Sequence, residues 1–241
     1  TVPMMHRMVE EGADIIELGV PFSDPMAEGP VIQLAHERAL AQGVSLRNVL
    51  DLVTQFRRDD AQTPVLLMGY ANPVEHMGYE VFADQAAKAG IDALLTVDLP
   101  PEEVSEVKAC LQAVGIDTIL LVAPTSPDER VGEIVRNASG FVYYVSVKGV
   151  TGSGNLDVDA VRVGVSRVKQ YTELPVAVGF GIKDAASARA VAAVADGVVV
   201  GGARVSCAAE AVAGGGGDEA AMDAVADLVR ELRQGVDSFA S

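Results

Sequence analysis

The sequence contains no tryptophan, only 5% aromatic residues and two cysteines among 241 residues. Basic residues are also scarce, since 18 lysines and arginines stand against 34 acidic residues, and the formal net charge is −16. A nucleic-acid-binding surface needs a basic patch, so this charge balance argues against that class of protein. No apolar run approaches the roughly 20 residues that a membrane span requires. We therefore expect a protein that binds neither nucleic acid nor a membrane.

The cysteines and histidines do not form recognisable sites. Cys110 and Cys207 each stand alone in apolar surroundings, which favours reduced thiols in a cytoplasmic protein over a disulfide. His6, His36 and His76 have no partner at metal-ligand spacing, so we expect no metal site.

Short apolar, β-branched runs alternate with amphipathic helical stretches along the whole chain. Their starts recur every ~21 to 34 residues after a longer first gap, which is typical of βα units. Strands that are apolar throughout indicate a parallel sheet covered on both faces. The predicted strands are Asp14–Leu18, Pro64–Gly69, Ala93–Val97, Thr118–Val122, Phe141–Ser146, Val176–Gly179 and Gly197–Val200.

A (β/α)₈ barrel of the α/β class accounts for this pattern, and no linker divides residues 1–241 into separate domains. Seven strands are predicted where the barrel needs eight, and a helix ending at Gly12 precedes the first of them. We expect the N-terminal helix and first strand of the barrel to lie upstream of Thr1. The alternative is an open doubly wound sheet, which the absence of G-x-G-x-x-G after the first strand disfavours.

The stretch "IIELGVPFSDPMAEGP" places Glu17 inside an apolar strand. Alternation puts Ile16 and Leu18 on one face, so Glu17 points into the barrel if these two meet the helices. Burial there would raise the pKa of Glu17 toward neutrality and suit it to proton transfer. A carboxylate at the rim, solvated or paired with a base, remains the alternative.

Polar residues and glycines collect at the ends of the other predicted strands, where a barrel has its active site. Asp98 follows one strand, and its alternative role is to cap a helix beginning near Pro100. Glycine clusters follow the last two strands in "AVGFGIKD" and "VVVGGA" and indicate a phosphate site. The stretch "KGVTGSGN" is interpreted as a loop that closes over a ligand.

Six motifs in order resemble the family of tryptophan synthase α subunits. They are "IELGVPFSDPMAEGP", "GYANP", "DLPPEE", "YYVSVKGVTG", "VGFGI" and "VVVGGA". The resemblance implies a lyase that reversibly cleaves indole-3-glycerol phosphate to indole and glyceraldehyde 3-phosphate in tryptophan biosynthesis. It implies no cofactor in this subunit and an α₂β₂ heterotetramer with a β subunit that carries pyridoxal phosphate.

The resemblance also assigns residues one by one. Glu17 becomes the catalytic carboxylate, and Glu28 binds the indole N–H where most members have aspartate. Asp24 faces the partner subunit. Gly202 stands where the family usually has serine, so a hydroxyl contact to phosphate is missing. The substrate positions are Phe22, Ile32, Met68, Tyr70, Asp98, Tyr143 and Thr151, and the phosphate positions are Gly179, Phe180, Gly181, Gly201 and Gly202.

Two other functions are compatible with the residues alone. One is an aldolase or isomerase acting on another sugar phosphate, although no lysine stands at an inferred strand end before Lys148 to form a Schiff base. The other is a subunit whose main task is to bind and activate a partner.

Overall fold

Seven parallel strands form one sheet whose spatial order, β1 to β7, is the order of the chain. The computed structural model describes residues 1–146 and 156–239. The strands are β1 Ile16–Gly19, β2 Val65–Gly69, β3 Ala93–Thr96, β4 Asp117–Val122, β5 Val142–Val145, β6 Val176–Gly179 and β7 Gly197–Val198. A doubly wound sheet reverses its strand order at a switch point, so this sequential order excludes that alternative.

Every strand is followed by one or two helices, as the βα rhythm predicts. Within the two described ranges, no helix is both long and apolar enough to cross a bilayer. The helices are α1 Val2–Glu10, α2 Pro30–Ala41, α3 Leu46–Phe56, α4 Ala71–Met77, α5 Tyr79–Ala89, α6 Ser105–Ala113, α7 Asp128–Asn137, α8 Val158–Val168, α9 Ala185–Ala192, α10 Gly202–Ala213 and α11 Gly217–Asp237.

All seven predicted strands are present, within two residues of the predicted bounds at either end. Described helix side chains belong to only one of the two apolar clusters, so the helices cover one face of the sheet and the other face encloses a small inner cluster, as in a curled (β/α)₈ barrel. Leu67 and Leu94 pack between sheet and helices, whereas their neighbours Leu66 and Leu95 pack inside the curl. This alternation is the period-two geometry of strands. An eighth strand upstream of Thr1 stays a prediction.

Local signals in the sequence explain where several helices begin and end. Pro30 opens α2, where its missing N–H is tolerated. Ser45 and Asn48 form a reciprocal capping box at the start of α3. Gly90 ends α5 with a left-handed φ of 88°, which glycine adopts without steric cost. Because all seven strands are parallel, the loops that follow them lie together at one end of the sheet.

Two aspartates hold neighbouring strands together at the opposite edge. Asp92, directly before β3, accepts a 2.7 Å hydrogen bond from the N–H of Val65, the first residue of β2. Asp196, directly before β7, accepts a 2.8 Å bond from the N–H of Val176, the first residue of β6. Each carboxylate also pairs with a basic residue at the C-terminal end of the helix that precedes the bonded strand, α3 for β2 and α8 for β6. The same hydrogen bond, from the first N–H of one strand to the aspartate before the next strand, therefore aligns β2 with β3 and β6 with β7.

Candidate active site

Glu17 lies on β1 and faces the interior of the curled sheet. It pairs in register with Leu66 of β2, and Leu66 belongs to the inner apolar cluster. Its neighbours Ile16 and Leu18 pack on the opposite side, against the helices. The predicted orientation of β1 is thus the observed one. The carboxyl group enters a space otherwise lined by apolar side chains and by Tyr143.

The environment of Glu17 favours its neutral form. Its Oε1 is closed off from solvent and has no hydrogen-bond partner among the described residues. Burial raises the pKa of Glu17 to about 7, while the charge of Arg204 lowers it and that of Glu28 raises it. Near neutral pH both the protonated and the ionised form are therefore populated. Such a carboxyl can donate and accept a proton under the same conditions.

Arg204 is a half-buried cation that no motif or spacing in the sequence singles out. It lies in the first turn of α10, and burial lowers the pKa of its guanidinium, whereas Glu17 raises it. Its Nη1 is 3.4 Å from the sulfur of Met8. The signal in the sequence is one arginine in the otherwise uncharged stretch "GGARVSCAA". Arg204 is the cation whose charge opposes the effect of burial on Glu17.

Glu28 is a second buried carboxylate, with 7% of its surface exposed. Its Oε2 accepts a 2.6 Å hydrogen bond from the hydroxyl of Tyr70. The same hydroxyl oxygen accepts a bond of 2.9 Å from the N–H of Ala27. Burial raises the pKa of Glu28, and the hydrogen bond from Tyr70 partly offsets that rise. Tyr70 thereby connects the end of β2 to the loop that carries Glu28.

That loop, residues 21–30, is called the acidic loop here and is held against α2 and Tyr70. The ring of Phe22 stacks on Tyr70 with 5.1 Å between centroids. The N–H of Phe22 donates to Nδ1 of His36 at 2.8 Å, and the side chain of Gln33 donates to the carbonyl of Glu28. Asp24, by contrast, is exposed at the tip of the loop. The acidic loop thus has a buried carboxylate, Glu28, on its inner side and an exposed one, Asp24, on its outer side.

Asp98 has a different partner from the one that its sequence position indicates. Its carboxylate accepts a 2.8 Å hydrogen bond from the N–H of Ala71, the first residue of α4. The helix after Asp98 begins only at Ser105, so the alternative that Asp98 caps a helix near Pro100 is wrong. Asp98 instead anchors the neighbouring βα loop beside Tyr70.

The two remaining apolar substrate positions lie on β2 and at the start of α2. Met68, on β2, packs against the inner cluster, and Ile32 is half-buried in the first turn of α2. Thr151 and the predicted closing loop fall outside the described residues. Among residues 1–146 and 156–239, no group of three histidine, cysteine or acidic side chains could hold a metal ion.

The first glycine cluster makes a tight turn at the end of β6. Phe180 and Gly181 have positive φ values of 72° and 77°, and Phe180 is the one non-glycine residue with positive φ in the described part of the chain. The hydroxyl of Ser146 donates to the carbonyls of Gly179 and Phe180, which holds this turn. A Cβ at Gly179 would lie 1.9 Å from the Tyr143 hydroxyl. Glycine is therefore required where β6 passes Tyr143.

The second glycine cluster lies at the start of α10, one strand further on. Gly201 is the N-cap residue of this 12-residue helix and Gly202 its first residue. A Cβ at either position would meet no atom within 4 Å, so both backbones border open space. The N–H groups of a helix start and the glycine turn after β6 form a surface suited to an anion. Sequence reasoning placed both clusters at these strand ends.

The raised pKa of Glu17 makes the stability of the fold depend on pH. The pKa rises from 4.5 to about 7, so the folded protein holds this proton more tightly than the unfolded chain. The resulting stabilisation is complete below pH 4.5 and is lost as pH rises through about 7, ~3 kcal/mol in total at about 1.4 kcal/mol per unit.

Urea unfolding at about pH 5 and about pH 8 measures this loss of stability. Glu17→Gln should remove most of the decline, and the smaller contribution of Glu28 should remain. An equal decline in both proteins would show that Glu17 titrates normally.

The sequence is similar to members of one protein family along nearly its whole length. Residues 1–237 match the family described as "Tryptophan synthase alpha chain". A relative of that name from Thioalkalivibrio sulfidiphilus is 58% identical, over 98% of this chain and 88% of the relative. One from Chromobacterium violaceum is 55% identical, again over 98% of this chain and 88% of the relative.

Solved structures agree in fold. The tryptophan synthase subunit alpha of Legionella pneumophila superposes with a TM-score of 0.90 at 44% identity, covering 98% of this chain and 87% of that one. A tryptophan synthase structure from Mycobacterium tuberculosis gives a TM-score of 0.87 at 39% identity, with 98% and 86% covered. The chain therefore belongs to the tryptophan synthase alpha chain family, the lyase family of tryptophan biosynthesis that cleaves indole-3-glycerol phosphate.

Proposed function

We propose that Glu17 is the general acid and base of the cleavage of indole-3-glycerol phosphate to indole and glyceraldehyde 3-phosphate. The observation that carries this proposal is a buried carboxyl in the barrel with a pKa of about 7. Indole C3 gains a proton, and the ring then accepts the electrons of the breaking C–C bond. The adjacent glycerol hydroxyl loses its proton as its carbon becomes the aldehyde. Glu17 populates both forms near neutral pH, so it suits both transfers.

Glu28 is proposed to bind the indole N–H and to stabilise the positive charge that develops on the protonated ring. Its carboxylate is buried and already holds one hydrogen bond from Tyr70 at 2.6 Å. Its other oxygen has no hydrogen bond from a side chain or backbone group within residues 1–146 and 156–239, and it is proposed to take the further donor. A fixed negative charge in a site shielded from water acts strongly on a developing positive charge. The departure from aspartate keeps this charge and adds one methylene.

The remaining assignments follow the geometry of the strand ends. Phe22, Ile32, Met68, Tyr70 and Tyr143 are proposed to line the substrate pocket, and Asp98 supports the loop after Tyr70. Gly179, Phe180 and Gly181 with Gly201 and Gly202 are proposed to bind the substrate phosphate through backbone N–H groups. Thr151 is proposed to position Glu17 when its loop closes. No cofactor or metal takes part in this subunit.

A direct assay tests the proposed reaction. The purified chain with indole-3-glycerol phosphate and a chelator should release indole and glyceraldehyde 3-phosphate in equal amounts. Addition of indole and glyceraldehyde 3-phosphate should run the reaction backwards, because the same carboxyl serves both directions. A requirement for an added metal or cofactor would contradict the proposal. Release of another aldehyde product would favour the aldolase alternative.

A pyridoxal-phosphate β subunit is proposed to dock on the outer side of the acidic loop in a cytoplasmic α₂β₂ assembly. The acidic loop and α2 border a groove of about 410 Å³ that includes Asp24, Met26 and Leu40. Met26 is 81% exposed and Leu40 38%. An exposed apolar side chain beside a carboxylate suits a partner surface with an apolar centre and a basic rim. The solved M. tuberculosis relative is itself a tryptophan synthase structure.

Asp24→Ala should abolish most of the rise in α-site turnover that an added β subunit produces. The isolated variant should keep its basal rate within about threefold, since Asp24 is exposed and loses only a surface interaction. Indole release is measured with increasing β subunit. Asp51→Ala, an exposed aspartate on α3, is the matched control and should be activated normally. Equal loss of basal and activated rates would place Asp24 in the pocket instead.

A further inference from the structure

We propose that His36 is a positioning residue that fastens the acidic loop to α2 and so sets where Glu28 meets the substrate. The proposal rests on the role of Glu28 proposed above and extends it to a residue outside the pocket. His36 is buried, with 8% of its surface exposed. Its Nδ1 accepts a 2.8 Å hydrogen bond from the N–H of Phe22. Because Nδ1 is the acceptor, the imidazole carries its proton on Nε2.

A single ring thereby acts on both ends of the acidic loop. His36 fixes the backbone of Phe22, whose ring stacks on Tyr70 at 5.1 Å. The His36 ring also meets Tyr70 edge-on, with 6.4 Å between centroids. Tyr70 in turn accepts from Ala27 N–H and donates to Glu28. The contacts therefore run without a break from α2 to the carboxylate proposed to bind indole.

The spacing of polar residues on α2 indicates that this helix binds the acidic loop specifically and does not merely pack against it. Gln33 and His36 are three residues apart, so both project from one face of the helix. Gln33 donates to the carbonyl of Glu28 at 2.8 Å, while His36 accepts from Phe22. One helix face thus offers a donor and an acceptor to complementary backbone groups of the loop. Without His36, the half-buried N–H of Phe22 would lose its partner.

Two variants separate the hydrogen bond from the volume of the ring. His36→Leu fills the space and removes the acceptor, whereas His36→Asn retains an acceptor at the position of Nδ1. Hydrogen exchange of peptides spanning residues 20–30 reports the Phe22 bond without substrate. Steady-state cleavage of indole-3-glycerol phosphate reports the position of Glu28. His76→Leu, at an exposed histidine on α4, is the matched control.

In His36→Leu, the amide hydrogen of Phe22 should exchange faster. The kcat of this variant should fall about tenfold, which corresponds to the free energy of one hydrogen bond. Its KM should change less than about threefold, since the phosphate contacts lie on other loops and charge develops only in the transition state. The asparagine variant should restore slow exchange and most of kcat. Circular dichroism confirms that each variant is folded.

Three results would overturn the role of His36. They are unchanged exchange in His36→Leu, faster exchange with unchanged kcat, and no recovery of either property in His36→Asn. Failure of the proposed reaction has a different signature, because wild type and variants would then all lack cleavage. The exchange comparison would still decide in that case whether His36 holds the loop. An overturned His36 role would leave Glu17 and the reaction unaffected.

Discussion

Replacing Glu17 with glutamine should lower indole release at least ~10²-fold, in line with the loss of a general acid–base group. Glutamine keeps the size of the side chain and its place opposite Leu66 on β2. It cannot release or accept a proton at neutral pH, so neither the ring protonation nor the hydroxyl deprotonation is assisted. Substrate binding should be largely kept, because the phosphate contacts lie elsewhere. Single-turnover kinetics with an equilibrium binding measurement separate the two effects.

The pH dependence sharpens this experiment. In the wild type, kcat/KM should show an ionisation near the Glu17 pKa of about 7, and this feature should be absent from the residual activity of Glu17→Gln. Glu129→Gln, at an exposed position on α7, is the matched control and should behave as wild type. Near-normal turnover in Glu17→Gln would mean that Glu17 has only a structural role.

Glu28→Gln is expected to reduce kcat about 10²-fold, the lower end of what the loss of one preorganised charge-stabilising group costs. The amide oxygen can still accept from the Tyr70 hydroxyl, so the acidic loop keeps its attachment at that point. A neutral amide cannot balance the positive charge of the protonated indole ring. The effect should therefore appear in kcat more than in KM.

Glu28→Asp distinguishes charge from reach. It restores the charge but shortens the side chain, so activity should lie between those of wild type and Glu28→Gln. Glu75→Gln, exposed on the neighbouring helix α4, serves as the control and should change nothing. If Glu28→Gln kept full kcat, Glu28 would serve only to hold Tyr70 and the loop. Rates are read from indole formation at saturating substrate.

The strands and the orientation of Glu17 could be predicted from the sequence because they depend on local patterns. A chain in which short β-branched runs alternate with helical stretches is compatible with few folds other than a parallel sheet covered by helices. Alternation within four residues of β1 decides which face Glu17 takes. The glycine clusters were found for the same reason, since each follows a recognisable strand. Assignment of their roles needed the resemblance of whole motifs.

Features that depend on distant contacts could not be predicted. Asp98 binds the backbone of Ala71, 27 residues earlier, and local sequence indicated a helix cap instead. Arg204 lies near Glu17 only because the last helices return to the first strand. α4 was not predicted, because its seven residues are too few to show a helical period. The periodicity of apolar residues shows which face of a single helix or strand is buried. The surroundings of Asp98 and Arg204 depend instead on contacts between elements that are far apart in the sequence.

The aspartates that precede β3 and β7 affect which parts of such a chain can vary in evolution. Asp92 and Asp196 align neighbouring strands at one end of the sheet, while Glu28 and the glycine turn after β6 lie in loops at the other end. Substitutions in those loops therefore leave the alignment of the strands intact. New specificities can arise by loop exchange without a loss of folding. Of the two departures from the family that the resemblance indicates, Glu28 lies in such a loop and Gly202 at the helix start that follows another.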